Sequence, residues 1–329
     1  MKLIAILLCL CWAKAEYYED LASQYEEDQG LWKAGYNEFF RGWEFERIRR
    51  IMGTRLGHKP GSPVKDFGSI FKKKIPKLPK AFDSRQHWPH CKNTIGFIKD
   101  QADCGSCWAV AASEVAADRT CIANYEKVKE LAGAGGNNEL LNENMPGIDL
   151  SAEQIMACCD YCGQGCEGGY PIDAMKFWCW TGVVTGGFFD SDCGCDPYTI
   201  PPCGTHGCRS PMAKTPVCKQ SCRKGYPLDF TQDKHFCHNH YVLPAKHAKA
   251  IQYEIMLHGP VECAFEVYEN FMQYKSGVYD KTAGKTDRLS LCDDTGTFWF
   301  LRGTNLAGME EECVAGIAKP HDKNFMLKC

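Results

Sequence analysis

The chain has 329 residues, enough for one or two domains with a well-buried core. A hydrophobic content of 44% and a charged content of 24% exclude a fully disordered chain. Lys and Arg number 38 against 41 Asp and Glu, a net charge of -3, so the basic excess of a nucleic-acid binder is missing and no nucleic-acid partner is expected. Cysteine is the outlier, because 22 thiols in a chain of this length point to an oxidising compartment.

At the N-terminus, Lys2 precedes an apolar run from Leu3 to Trp12 and a small-x-small site, Ala13-Lys14-Ala15. This pattern predicts a secretory signal peptide over residues 1–15, cut before Glu16. A membrane anchor is the alternative, but the run is too short for a bilayer core of about 30 Å. No later segment is long and apolar enough to span a membrane, and no Asn-x-Ser/Thr sequon is present. The expected route is the secretory pathway, ending outside the cell or in the lysosome.

Residues 16–77 differ in texture from the rest of the chain. They contain no cysteine, open acidic (Glu16, Glu19, Asp20, Glu26, Glu27, Asp28) and end basic and Pro-rich from Lys72 to Pro79. Tyr36, Phe39, Phe40 and Trp43 fall at i, i+3, i+4 and i+7, which predicts one face of a helix. Either a small helical domain or a helical pro-segment with a cleavable linker fits. The abrupt onset of cysteine at Cys91 favours the pro-segment. Further on, residues Gly133 to Gly147 read as a surface loop. The β-branched and aromatic stretch from Val261 to Tyr279 favours strands.

The chemistry-bearing run is Gln101-Ala102-Asp103-Cys104-Gly105-Ser106-Cys107-Trp108, followed by Ala109 to Ala117. The Ala-rich stretch predicts a buried helix. Gly105-Ser106 makes the turn into it, so Cys107 falls in the first turn. There, unsatisfied N–H groups and the positive end of the helix dipole favour a thiolate. Gln101 can present its amide to a developing oxyanion. A single Cys in a secreted chain is ordinarily half a disulfide, but Cys-Gly-Ser-Cys-Trp behind a Gln is more specific. A second cluster, His235, Cys237, His238 and His240, suggests a metal site, yet in an oxidising compartment Cys237 is better read as paired or packed. Neither metal nor cofactor is expected.

On these residues the chain resembles the papain family of cysteine peptidases, its cathepsin B branch most closely. Trp32 to Asn37 and Met52-Gly53-Thr54 look like that branch's pro-segment, and Leu78 to Arg85 like the start of its mature enzyme. Cys158-Cys159, Cys166 to Pro171, Gly259 to Glu262, Tyr274 to Tyr279 and Val314 to Ile317 match further segments, and Pro201 to Cys208 sits at its occluding loop. The resemblance implies an α+β, two-domain papain-like fold: a helical domain built on the helix after Cys107, and a β-barrel domain. It implies a signal over 1–15, a propeptide over 16–77 and a peptidase domain over 78–329. Cys107 would be the nucleophile and Gln101 the oxyanion donor. Gly168, Gly169, His206 and Glu312 would bind substrate, Glu312 at the S2 pocket. Implied disulfides are Cys91–Cys121, Cys104–Cys166, Cys158–Cys218, Cys159–Cys162, Cys195–Cys222 and Cys203–Cys208. Implied partners are peptide or protein substrates, the chain's own propeptide and cystatin-like inhibitors.

One departure is large. The family carries its His in a Gly-His-Ala setting after the Ser-Gly-Val-Tyr strand, and its Asn in an Asn-Ser-Trp setting. This chain runs from Tyr279 through Lys285 to Cys292 and rejoins the pattern at Asp294 with neither. An internal segment near 285–294 is therefore missing, and the barrel is expected to be incomplete, with sheet edges opened. A Cys nucleophile without His loses a general acid worth roughly 10²–10⁴ in rate. Two readings are open, a peptidase with impaired turnover or an inactive protease-like binding or decoy protein. At the occluding loop, Thr205 stands where the second member of the family's His pair would lie beside His206, which speaks against dipeptide removal from C-termini.

Overall fold

The structure, a computed structural model, describes residues 31–40, 43, 45–57, 62–65, 77–133, 147–203, 211–280, 286–287 and 298–320. The signal peptide, the basic linker from 66 to 76 and most of the loop from Gly133 to Gly147 lie outside these residues. In chain order the elements are β1 (Trp32–Ala34), α1 (Phe45–Ile51), α2 (Ser84–His87), α3 (Lys92–Ile95), α4 (Cys107–Ala123), α5 (Tyr125–Gly133), α6 (Ala152–Cys158), α7 (Pro171–Trp180), β2 (Cys237–Val242), α8 (Ala248–His258), β3 (Glu262–Ala264), β4 (Val267–Tyr268), β5 (Tyr274–Tyr279), β6 (Thr286–Asp287), β7 (Trp299–Phe300) and β8 (Glu312–Ala318).

Helix α4 is the axis of the helical part. Ala109, Ala112, Ala116 and Ala117 are buried, and their small side chains let α6, α7 and β8 approach it closely. Trp108, Ile155, Met175 and Trp178 fill the space around these alanines. Bridges Cys91–Cys121, Cys104–Cys166, Cys158–Cys218, Cys159–Cys162 and Cys195–Cys222 tie the surrounding loops to this core. Two further bridges, Cys179–Cys237 and Cys263–Cys313, join α7 to β2 and β3 to β8. Because its sulfur is bonded to Cys179, Cys237 is not a metal ligand. His240 stands edge-on to Trp180.

The β part is open. Strands β2, β8 and β3 form an antiparallel sheet in that order; β5 is flanked by β1 and β7, and β4 pairs with β6 alone. The two-domain papain-like α+β architecture is present, and among the described residues no barrel closes. Arg119 of α4 joins the halves. Its Nη1 lies 3.0 Å from the carboxylate of Glu254 on α8 and donates to the Gly316 carbonyl at 2.9 Å, while Nε donates to the Pro260 carbonyl at 2.8 Å.

The N-terminal segment closes the open side. Strand β1 pairs antiparallel with β5, Trp32 facing Gly277. Gly277 has φ +95°, and a Cβ there would fall 2.4 Å from the Leu31 carbonyl oxygen, so only glycine admits this strand. Trp32, Phe40, Trp43, Ile48, Ile51 and Met52 pack on Phe265, Phe271 and Tyr279. The helix expected over Tyr36 to Trp43 is a correction. Glu38–Phe40 forms one 3-10 turn, and α1 starts only at Phe45. The rings of Phe40 and Trp43, 5.8 Å apart and edge-to-face, are spaced by the aromatic surface they cover rather than by a helical period.

Buried carboxyls set a pH dependence. Burial pushes Glu114 up to about 7, against the pull of Lys99. Asp196 is likewise pushed up to about 7, first by burial and then by the charge of Glu153. Between the ordinary carboxyl range and pH 7, the folded chain therefore holds protons that the unfolded chain releases, so stability falls as pH rises through that window. The urea midpoint is expected to be higher at pH 5 than at pH 7.5, with Glu114→Gln flattening the slope. A midpoint that is level or rising with pH contradicts this.

Candidate active site

Cys107 is the first residue of α4, buried, and carries a thiol. Its position at the helix N-terminus sets the sulfur among N–H groups with no intrahelical acceptor. Ser106 is the N-cap but makes no side-chain cap bond; its hydroxyl meets the Tyr198 hydroxyl at 2.8 Å. Gln101 reaches the same place from the preceding loop, with its side chain buried and Nε2 donating to the Ile51 carbonyl at 2.8 Å and the Cys104 carbonyl at 2.9 Å.

The N-terminal segment crosses this point in extended form. The Gly53 N–H donates to the Cys107 sulfur at 3.2 Å, and the Thr54 hydroxyl lies 3.2 Å from the same atom. Gly169 donates to the Gly53 carbonyl at 2.9 Å and accepts from the Arg55 N–H at 2.8 Å, in a parallel bridge centred on Thr54. Farther along, the Gly57 N–H donates to a Glu312 carboxylate oxygen at 2.7 Å. The stretch from Ile51, the last residue of α1, to Gly57 therefore touches Gln101, Cys107, Gly169 and Glu312. Gly168 lies beside it at φ +101°. His206 and Cys208 lie outside the described residues, so the loop from Cys203 carries no geometry here; Cys203 itself is disulfide-bonded.

Glu312 does not stand alone. Glu262 on β3 lies diagonally opposite across the β3–β8 register. Burial pushes its carboxyl well above the usual range, with the charges of Glu114 and Glu312 adding to the effect. Arg47 pairs with Asp103 and lies over the Trp43 ring at 4.8 Å, fastening α1 to the loop that carries Gln101.

Five of the seven described histidines are engaged elsewhere. His258 pairs with Glu254 at 3.2 Å, and His247 caps α8 through Nδ1. His87 packs against Trp88, His90 against Tyr125 and His240 against Trp180. Sequence reasoning did not single out Tyr198, Glu262 or the Arg47–Asp103 pair. Only Glu262 had a local signal, the Gly-Pro-Val-Glu run.

Comparison with known proteins agrees with this geometry. A model of the papain family cysteine proteases matches residues 78–292. The chain is 38% identical over 336 residues to cathepsin B-like cysteine proteinase 4 of Caenorhabditis elegans, covering 92% of each. It is 35% identical to a cathepsin B-like cysteine proteinase of Schistosoma japonicum, over 89% of this chain and 88% of the other. Among solved structures it is similar to procathepsin B S9 from Trypanosoma congolense, with a TM-score of 0.68 and 25% identity over 92% of this chain and 98% of that one. Among the described residues no helix is long and apolar enough to cross a membrane. With a family model covering most of the chain and relatives matched along nearly their full length, the protein belongs to the papain family of cysteine peptidases, in its cathepsin B-like branch.

Proposed function

We propose that the chain is the zymogen of a cathepsin B-like cysteine-type peptidase whose cleft binds an extended peptide and whose Cys107 attacks its carbonyl carbon. The observation that carries this reading is the segment from Ile51 to Gly57, which holds a carbonyl on Gln101, an N–H on the Cys107 sulfur, a backbone bridge on Gly169 and an N–H on Glu312. On this reading residues 16–77 are the propeptide, removed to admit substrate, and residues 78–329 the peptidase domain.

The chemistry is set by the positions. The Cys107 thiolate forms a bond to the scissile carbon, and the carbonyl π pair moves onto oxygen. The Gln101 amide and the Cys107 N–H receive the resulting oxyanion. Expelling the amine requires a proton, which the family takes from its His. With neither the His nor the Asn setting in this sequence, turnover is expected to be about 10²–10⁴ lower than in a chain that carries them. Glu312, a buried carboxylate already meeting the Gly57 N–H at 2.7 Å, favours Arg or Lys at the S2 position. Substrates are peptides or proteins, and cystatin-like inhibitors compete for the same cleft. The expected location is extracellular or lysosomal, and the higher stability expected at acidic pH suits the lysosome.

A second reading, a protease-like binder without turnover, is favoured by the same missing settings. Hydrolysis of a fluorogenic peptide with Arg at P2 separates them. The peptidase reading expects slow hydrolysis that vanishes in Cys107→Ala. Equal background from both proteins, with the peptide still bound, selects the binder.

A further inference from the structure

We propose that Tyr198 is a positioning residue for the oxyanion-binding glutamine, locking Gln101 and the start of α4 in one register; this rests on the peptidase reading. The Tyr198 side chain is buried, and its hydroxyl donates to the Gln101 backbone carbonyl at 2.9 Å while meeting the Ser106 hydroxyl at 2.8 Å. A carbonyl can only accept, so the phenol proton goes to Gln101 and the Ser106 hydroxyl donates to the phenol oxygen. One oxygen atom thus bridges the residue that offers the amide and the residue immediately before the nucleophile.

The backbone shows why such a hold is needed. Ala102, directly after Gln101, has φ +55°, in the left-handed region that alanine rarely adopts. Such a conformation is strained for a residue with a Cβ and persists only where its surroundings enforce it. Asp100 holds one side, its carboxylate accepting from the Ala102 N–H at 2.6 Å, and Tyr198 holds the Gln101 carbonyl on the other. Without the phenol oxygen, the Gln101–Ala102 peptide can turn toward an ordinary conformation and carry the amide off the position now filled by the Ile51 carbonyl. The ring of a phenylalanine would fill the same space, so the loss falls on register rather than on packing.

The test compares two reactions of Cys107 in the full chain. A peptide aldehyde with Arg at P2 adds to the thiol: the S–C bond forms, the carbonyl π bond breaks onto oxygen, and the thiol proton ends on that oxygen, which faces Gln101. Iodoacetamide forms an S–C bond with loss of iodide and develops no oxyanion. Both need the same lifting of the N-terminal segment, so the ratio of aldehyde affinity to alkylation rate isolates the oxyanion position. In Tyr198→Phe, the ratio of aldehyde affinity to alkylation rate is expected to fall about 10- to 100-fold, even as loss of the Gln101 bond to Ile51 speeds both reactions by the same opening factor. In a Gln101→Ala background, Tyr198→Phe should cost no further affinity, because it acts through Gln101. If Tyr198→Phe does not fold, Ser106→Ala, which leaves the tyrosine in place, should give a smaller loss of the same kind. An unchanged ratio, or an additive loss on Gln101→Ala, overturns the proposal. A wild-type chain that alkylates at Cys107 yet takes up no aldehyde overturns the peptidase reading and this proposal with it, whereas aldehyde uptake whose ratio to alkylation is unaffected by Tyr198→Phe overturns the positioning role alone.

Discussion

Gly53→Ala should strip the N-terminal segment from Cys107. A Cβ on Gly53 would lie 1.7 Å from the Gly105 carbonyl oxygen and 2.3 Å from its carbon. Both are backbone atoms of the turn into α4, so no side chain can swing aside. The strand must lift, losing the Gly53 bond to the sulfur, the Gly169 bond to Gly53 and the Gln101 bond to Ile51. At about 1 kcal/mol for each buried hydrogen bond, the opening equilibrium moves by about 3 kcal/mol, or on the order of 10²-fold. Alkylation of Cys107 samples that opening, so its rate should rise by the same factor. Global stability should change little, because Trp32, Phe40 and Trp43 keep the rest of the segment on the β half. An alkylation rate equal to that of the unsubstituted chain would show that the strand does not cover the sulfur.

That strand also marks where the sequence could be read and where it could not. Gln101 and Cys107 share one eight-residue run, and the chemistry of a nucleophile at a helix start constrains residue type at each position, so their association is local. Gly168 and Gly169 sit in an equally compact run. By contrast, the Ile51 carbonyl on Gln101 and the Gly53 N–H on Cys107 are contacts across 50 and 54 residues, with no period or spacing to announce them. Tyr198 reaches Gln101 across 97 residues for the same reason. The bridges Cys179–Cys237 and Cys263–Cys313 could not be assigned from spacing because only the folded packing brings their halves together, α7 against β2 for the first and the β3–β8 register, Cys263 directly facing Cys313, for the second. The helix misplaced over Tyr36 to Trp43 is a separate kind of error. An apolar period identifies a buried face, and here that face is supplied by Phe265 and Phe271 of the β half rather than by a helix core.

Arg119→Met is expected to be the most destabilising single change outside the cleft. The guanidinium is 2% exposed and pairs with Glu254, whose side chain is fully buried. It also satisfies the carbonyls of Gly259, Pro260 and Gly316, at distances of 2.8 to 3.1 Å. Against the upward push of burial, His258, Arg119 and Lys65 together hold the Glu254 carboxyl well below the usual range. Methionine fills the volume of the stem but leaves three carbonyls unsatisfied and takes one cation from a buried carboxylate that Lys65 and His258 still face. Removing one partner of a buried pair costs about 3–5 kcal/mol. Urea denaturation followed by tryptophan fluorescence, with the disulfides intact, should register a loss of that size. The cause can be separated from simple loss of packing by a second substitution. Arg119→Met with Glu254→Leu removes both charges, and most of the stability should return, because the main penalty is the orphaned carboxylate rather than the missing contact. A single substitution costing under about 1 kcal/mol would show that Lys65 and His258 alone neutralise Glu254. The halves would then be held together by the sheet and its disulfides, with Arg119 contributing little.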